Sequence, residues 1–130
     1  MDFKALVVDD DAQVLSLAAR WLRSAGCDAM MSGSFADAQT KIMVCQPSIL
    51  IADVRLGDFN GIQLGLLAQR IRMDVRVLII SGWDDCVLRR EAERLGATFL
   101  PKPFTAAALL AAVGLSRDGQ RGPTAANGIV

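Results

Sequence analysis

Ala5-Leu6-Val7-Val8, four apolar residues running straight into Asp9-Asp10-Asp11, decides how the rest of the chain is read. A run this short and uninterrupted suits a strand buried on both faces, as in a parallel sheet. Similar runs follow at regular intervals: the weaker stretch 27–31, then Ile49-Leu50-Ile51-Ala52, Val77-Leu78-Ile79-Ile80 and 97–100. Between them, apolar residues recur at helical spacing. Val14, Ala18, Trp21 and Leu22 form one stripe, Phe35, Ala38 and Ile42 a second, and Leu64, Leu67, Ala68 and Ile71 a third; Val87, Leu88, Ala92 and Leu95 continue the pattern.

Helix starts are marked by side chains able to satisfy free backbone N–H groups: Ser34 with Asp37, Asn60 with Gln63, then Asp84 and Thr105. Gly26 and Gly96 suit left-handed helix stops. A (βα)5 alternation with short, right-handed connections predicts an α/β three-layer sandwich, with a parallel five-stranded sheet in the flavodoxin-like order 2-1-3-4-5. After Leu115 the chain loses all periodicity, so the expectation is one domain over 1–115 and a disordered tail or linker start over 116–130.

Composition narrows the function. The 130 residues are 52% hydrophobic, enough for a core without disulfide or metal staples. Fourteen basic residues balance fourteen acidic ones, which favours a protein partner over nucleic acid or a membrane surface. The start of the chain lacks the features of a secretory signal, and the apolar run 106–115 is far short of the ~20 residues that span a bilayer, so a cytoplasmic protein is expected. Cys27, Cys45 and Cys86 are odd in number and widely spaced, which fits reduced thiols. The chain contains no histidine, so it cannot itself act as a histidine kinase, a phosphohistidine carrier or a His-based hydrolase.

Ligands of an open parallel sheet bind beyond the carboxyl ends of its strands. Past the first run stand Asp9, Asp10 and Asp11; past the third, Asp53; past the fourth, Ser81 and Gly82; past the fifth, Lys102. Singly, each has a plain reading as a cap, a turn residue or a solvated charge. Together they gather carboxylates, a hydroxyl and an ammonium at one sheet edge. Two carboxylates ~4 Å apart repel by about 4 kcal/mol at an effective dielectric of ~20, so such a cluster calls for a cation. An all-oxygen donor set suits Mg²⁺. A carboxylate nucleophile beside Mg²⁺ is the equipment of phosphoryl transfer, in which Asp53 can attack, Lys102 can pair with a phosphoryl oxygen, and the Ser81 hydroxyl and Gly82 N–H can hold another.

These residues resemble the response-regulator receiver family from about Phe3 to Leu115, through Ala5-Leu6-Val7-Val8-Asp9-Asp10, Asp53 with Gly61, Ile79-Ile80-Ser81-Gly82 and Phe99-Leu100-Pro101-Lys102-Pro103-Phe104. The resemblance implies a two-component signalling switch: Asp53 accepts a phosphoryl group from a phosphohistidine on a sensor histidine kinase or phosphotransfer protein. It places Mg²⁺ among Asp9, Asp10, Asp53 and the Arg55 backbone carbonyl, and it implies a cis peptide at Lys102-Pro103. It also makes Ser81 and Phe99 the switch pair, Phe99 turning inward when the hydroxyl is drawn to the phosphoryl group, although a plain core role for Phe99 stands beside this. The surface of the fourth helix, fifth strand and fifth helix would then change, and a homodimer through it is one possibility. The resemblance also implies a downstream protein effector.

Gly57 stands where many receivers carry proline, which leaves that loop less stiff. Arg55 and Trp83 occupy positions that in receivers flank the phosphoryl group, so they could cover the phosphoaspartate and slow its hydrolysis, or could splay into solvent. A haloacid-dehalogenase-like phosphatase with Asp9 as nucleophile competes on its Asp-x-Asp, but Gln13 replaces the usual Thr or Val and no later acidic motif follows Lys102. A receiver-like interaction module that ignores phosphate would usually have lost one of these groups, and none is lost. A dinucleotide or flavin binder lacks its Gly-x-Gly-x-x-Gly after the first strand.

Overall fold

The computed structural model describes residues 3–82, 86–115 and 128–130. The first apolar run forms β1 (Lys4–Val8), and the others form β2 (Asp28–Ser32), β3 (Ile49–Asp53), β6 (Arg76–Ser81) and β7 (Thr98–Pro101). All pair in parallel in the order β2-β1-β3-β6-β7, which is 2-1-3-4-5 when only these sheet strands are counted. Between β3 and β6 the chain makes a feature the periodicity did not suggest: β4 (Arg55–Leu56) and β5 (Phe59–Asn60) pair as an antiparallel hairpin.

Helices cover both faces, as burial on both sides of every central strand requires. On one face α1 (Ala12–Ser24) and α5 (Ala106–Ala112) bury Val14, Ala18, Trp21, Leu22, Leu109 and Leu110 against Ala5, Val7, Ile49, Ile51, Leu78 and Ile80. On the other, α2 (Phe35–Cys45), α3 (Gly61–Ile71) and α4 (Cys86–Arg94) set Ala38, Ile42, Leu64, Ala68 and Ala92 against Leu6, Val8, Leu50, Ala52, Val77 and Ile79. Alternate residues of each strand thus serve opposite layers. The α4 stripe is narrower than its spacing suggested: Val87 is 62% exposed, and Ala92 is the buried residue of that helix.

The caps follow the sequence signals. Asp11, Ser34, Asn60 and Thr105 each accept a backbone N–H two or three residues on, and Asn60 with Gln63 makes a full capping box. Gly26 and Gly96 adopt the expected positive φ. Asp84 lies outside the described residues. At one margin of the sheet, alternate carbonyls of β2 point outward; Arg23 Nη2 donates to that of Ala29 and Lys41 Nζ to that of Met31, each at 2.7 Å.

The tail departs from its expectation in its last residues. Residues 116–127 lie outside the described part, but 128–130 return to the domain. Thr105 and Ile129 form an antiparallel bridge, and the backbones of Phe104 and Val130 exchange hydrogen bonds. The reason is apolar: Val130 packs on the core layer of α1 and α5, and Gly128 lies against Leu17 and Trp21.

Candidate functional site

The carboxyl ends of β1, β3, β6 and β7 meet at one edge of the sheet because those strands are parallel and in register. Asp53 ends β3 and pairs with Ile80; Ser81, one residue further, ends β6 and pairs with Pro101, so Lys102 follows directly. The Lys102 N–H donates to the Ser81 carbonyl at 2.7 Å, anchoring that turn, and the Lys102-Pro103 peptide is cis, as the resemblance implied.

Asp9, Asp53 and Ser81 are buried, whereas Asp10 is exposed. One carboxylate oxygen from each of Asp9, Asp10 and Asp53 can be chosen so that all lie within 4.8 Å of one another. The Lys102 Nζ reaches into the group, 2.9 Å from Asp9 Oδ2 and 3.3 Å from Asp53 Oδ2. Backbone donors face the other oxygens: the Asp11 N–H gives to Asp9 Oδ1 at 2.9 Å, and the Arg55 N–H to Asp53 Oδ1 at 3.5 Å.

Charge here is expensive. Burial pushes the Asp9 carboxyl above its ordinary pKa, against the downward pull of Lys102 and the Asp11 N–H, and Asp53 pushes it further. Burial likewise raises Asp53, opposed by Lys102 and the Arg55 N–H and aided by Asp10. Burial disfavours the Lys102 ammonium, but its two carboxylate neighbours outweigh that and hold its pKa above the usual lysine value. One lysine therefore does not neutralise the cluster. Asp9 Oδ2 stands in ion-pair contact with Lys102 but, among the described residues, receives no well-directed hydrogen bond. A buried carboxylate oxygen with spare lone pairs, beside two further acids, fits a hard divalent cation.

The sign of the pH dependence follows. An acid raised by folding contributes stability below its unfolded pKa, here 3.8, and loses it as pH rises through the folded value. Without metal, Asp9→Asn is expected to be more stable than wild type at neutral pH, with the advantage shrinking toward about pH 4. Mg²⁺ should reverse the order at neutral pH, stabilising wild type by about 2.7 kcal/mol at a hundredfold excess over Kd. Thermal melts in chelator and in Mg²⁺ check this, and a pH-independent difference between the two proteins would contradict it.

The remaining predicted residues distribute as follows. Gly82 is exposed beside Ser81, and among the described residues a Cβ there would meet nothing within 4 Å. Arg55 is exposed at the start of the hairpin, while Trp83 lies outside the described residues. Phe99 is half-buried, and the Arg89 guanidinium of α4 lies 4.6 Å from its ring centroid. Neither this stacking nor that of Phe59 on Phe35 was anticipated, because contacts between distant elements leave no local pattern.

Compared with known proteins, residues 5–114 match the model of the response regulator receiver domain. The chain belongs to the response-regulator receiver family. It is 31% identical over 121 residues to the acid tolerance regulatory protein ActR of Sinorhizobium medicae, a match that covers 92% of this chain but 62% of that relative's length. A response regulator of Burkholderia pseudomallei, solved with a phosphorylated aspartic acid, calcium ion and citrate, superposes with a TM-score of 0.80 at 25% identity, covering 86% of this chain and 66% of that one. A CheY-like receiver from Methanospirillum hungatei shares the fold, with a TM-score of 0.79 at 21% identity over 85% of this chain and 90% of its own. Receivers are phosphorylation-dependent switches of two-component systems: phosphoacceptor signalling domains that bind Mg²⁺ at an acidic site and draw their phosphate from histidine kinases. No described helix is long and apolar enough to cross a membrane.

Proposed function

We propose that Asp53 is the phosphoacceptor of this receiver and that a sensor histidine kinase or phosphotransfer protein in the cytoplasm is its donor. The observation that carries the reading is the convergence of Asp9, Asp10 and Asp53 around one point, with the Lys102 ammonium against two of them. The Asp53 oxygen attacks phosphorus, the bond from phosphorus to the donor's imidazole nitrogen breaks, and the electron pair leaves with the imidazole. Lys102 exchanges its contact with Asp53 for one with a phosphoryl oxygen, and the Ser81 hydroxyl and Gly82 N–H take another. Asp9, Asp10, Asp53 and the Arg55 carbonyl would hold Mg²⁺, which neutralises charge on the transferred oxygens. Asp9 is the less favoured nucleophile because its carboxylate has no exposed surface, whereas the Asp53 side chain keeps 10% of its surface open to solvent.

The Ser81 hydroxyl, drawn toward the phosphoryl group, frees space into which Phe99 can turn, and the surfaces of α4, β7 and α5 then present the changed state to an effector. Arg55, with Trp83, would partly cover the phosphoaspartate. The domain itself turns over no substrate beyond slow loss of its own phosphate.

Incubation with acetyl phosphate and Mg²⁺, followed by intact mass, tests the assignment. Wild type should gain one acid-stable, base-labile phosphoryl group that requires Mg²⁺ and is absent from Asp53→Ala. An adduct that survives Asp53→Ala and disappears in Asp9→Ala would transfer the nucleophile's role to Asp9. Failure of wild type to react would leave a phosphate-independent interaction module.

A further inference from the structure

The hairpin after Asp53 turns one aromatic residue away from the core. Arg55 pairs with Asn60 and Leu56 with Phe59 around Gly57-Asp58, Gly57 taking φ +63°. Leu56 faces inward and is buried, whereas Phe59 is 51% exposed. Its ring nonetheless lies flat on Phe35, the first residue of α2, with centroids 4.4 Å apart and planes 18° from parallel.

Each ring is tied to one wall of the acidic site. On the Phe35 side, the Asp9 N–H donates to the Ser32 carbonyl at 3.2 Å, the Ser32 hydroxyl donates to Asp37 Oδ2 at 2.7 Å, and Ser34 caps α2. On the Phe59 side, the Arg55 N–H faces Asp53 Oδ1, and the Gly61 N–H donates to the Val54 carbonyl at 3.0 Å. The stack thus joins the start of α2, which follows the β2 end bonded to the Asp9 N–H, to the hairpin that follows Asp53 and begins at Arg55. It also removes freedom that a glycine at the hairpin turn would otherwise allow.

We infer that Phe35 and Phe59 are positioning residues for the divalent-cation site, their stack holding the Arg55 backbone carbonyl at the right separation from Asp9 and so setting Mg²⁺ affinity. The inference rests on the reading that Asp9, Asp10, Asp53 and the Arg55 carbonyl hold the ion. Mg²⁺ is a sensitive reporter of such spacing because it demands near-octahedral geometry at short distances. A stack half in water adds little to the core, so its loss acts on the loop more than on the fold.

Calorimetric titration of Mg²⁺ into the whole chain, with no phosphodonor present, tests this. Phe59→Ala and Phe35→Ala should each weaken Mg²⁺ binding about two- to tenfold, the range expected from one aromatic pair. The double variant should lose no more than either single one, Phe59→Tyr should bind like wild type, and the metal-free melting temperature of Phe59→Ala should stay near that of wild type. Wild-type affinity in Phe59→Ala, or additive losses in the double variant, overturns the role of the stack while the metal site stands. Undiminished binding in Asp9→Asn overturns the metal reading and the inference with it.

Discussion

Lys102→Ala is expected to slow phosphoryl uptake from acetyl phosphate by about 10²- to 10³-fold, the usual cost of removing one charge-stabilising donor from a site of this kind. On the proposed assignment the lysine would serve both states of the reaction. Before transfer it lies 2.9 Å from Asp9 and 3.3 Å from Asp53 and partly neutralises them; during transfer it would supply positive charge to the developing phosphoryl oxygens. Alanine leaves the two buried acids to repel one another, so the metal-free variant should also melt lower at neutral pH and recover as the carboxyls protonate toward about pH 4. Lys102→Arg should not restore the rate, because a planar fork cannot replace a point charge between two carboxylates. Adduct formation by intact mass, at Mg²⁺ concentrations that saturate each protein, measures the effect. A Lys102→Ala rate within tenfold of wild type would remove the lysine from the transfer step.

Gly61→Ala should be the most damaging conservative change near the site. A Cβ at Gly61 would press into the Asp53 carbonyl oxygen well inside van der Waals contact, and would stand 3.0 Å from Ala52 Cβ and 3.1 Å from the Asp53 carbonyl carbon. Backbone atoms at the end of a central strand cannot rotate aside. Either α3 is pushed off the sheet or Asp53 moves, at a cost of about 1–3 kcal/mol or somewhat more. Gly65→Ala provides the contrast. Its added Cβ meets side-chain atoms, Val77 Cγ1 at 3.1 Å and Leu95 Cδ1 at 3.4 Å, which can give way, and alanine regains up to about 1 kcal/mol of helix propensity. Urea unfolding with phosphoryl uptake on both variants decides the matter; equal stabilities for the two would show that the sheet end tolerates the methyl.

The contrast also shows what the sequence could and could not convey. The central strands β1, β3 and β6 were legible because buried parallel strands are continuous apolar runs, a signal weaker in the part-exposed marginal strands β2 and β7, and the caps were legible because Ser34, Asn60 and Thr105 act within three residues of themselves. Asp9, Asp53, Ser81 and Lys102 could be grouped because parallel strands bring their carboxyl ends to one edge wherever those strands lie in the chain. The hairpin was missed because two-residue strands carry no periodicity, although Gly57-Asp58 between Leu56 and Phe59 is a turn signal in itself. The stacks of Phe59 on Phe35 and of Arg89 on Phe99 depend on helix placement, which no local pattern encodes. Val87 fitted the helical spacing yet faces solvent, since the spacing marks a stripe without saying how wide the sheet beneath it is. The return of residues 128–130 depends on an apolar surface assembled from α1 and Phe104, far from it in the chain.

The two cationic side chains over the outer margin of β2 bear on how the domain behaves when crowded. A terminal strand with bare carbonyls is a template on which a foreign strand, or another copy, can extend the sheet into a ribbon. Here a newcomer would first have to evict Arg23 from the Ala29 carbonyl and Lys41 from that of Met31, and would lose the pairing of Lys41 with Asp37 at 2.8 Å. The opposite margin, β7, closes with Pro101, which has no N–H to offer. Both borders of the sheet thus discourage growth by strand addition, so a partner at the proposed surface of α4, β7 and α5 would be held by side chains, and its release would not require unpicking a ladder of backbone bonds.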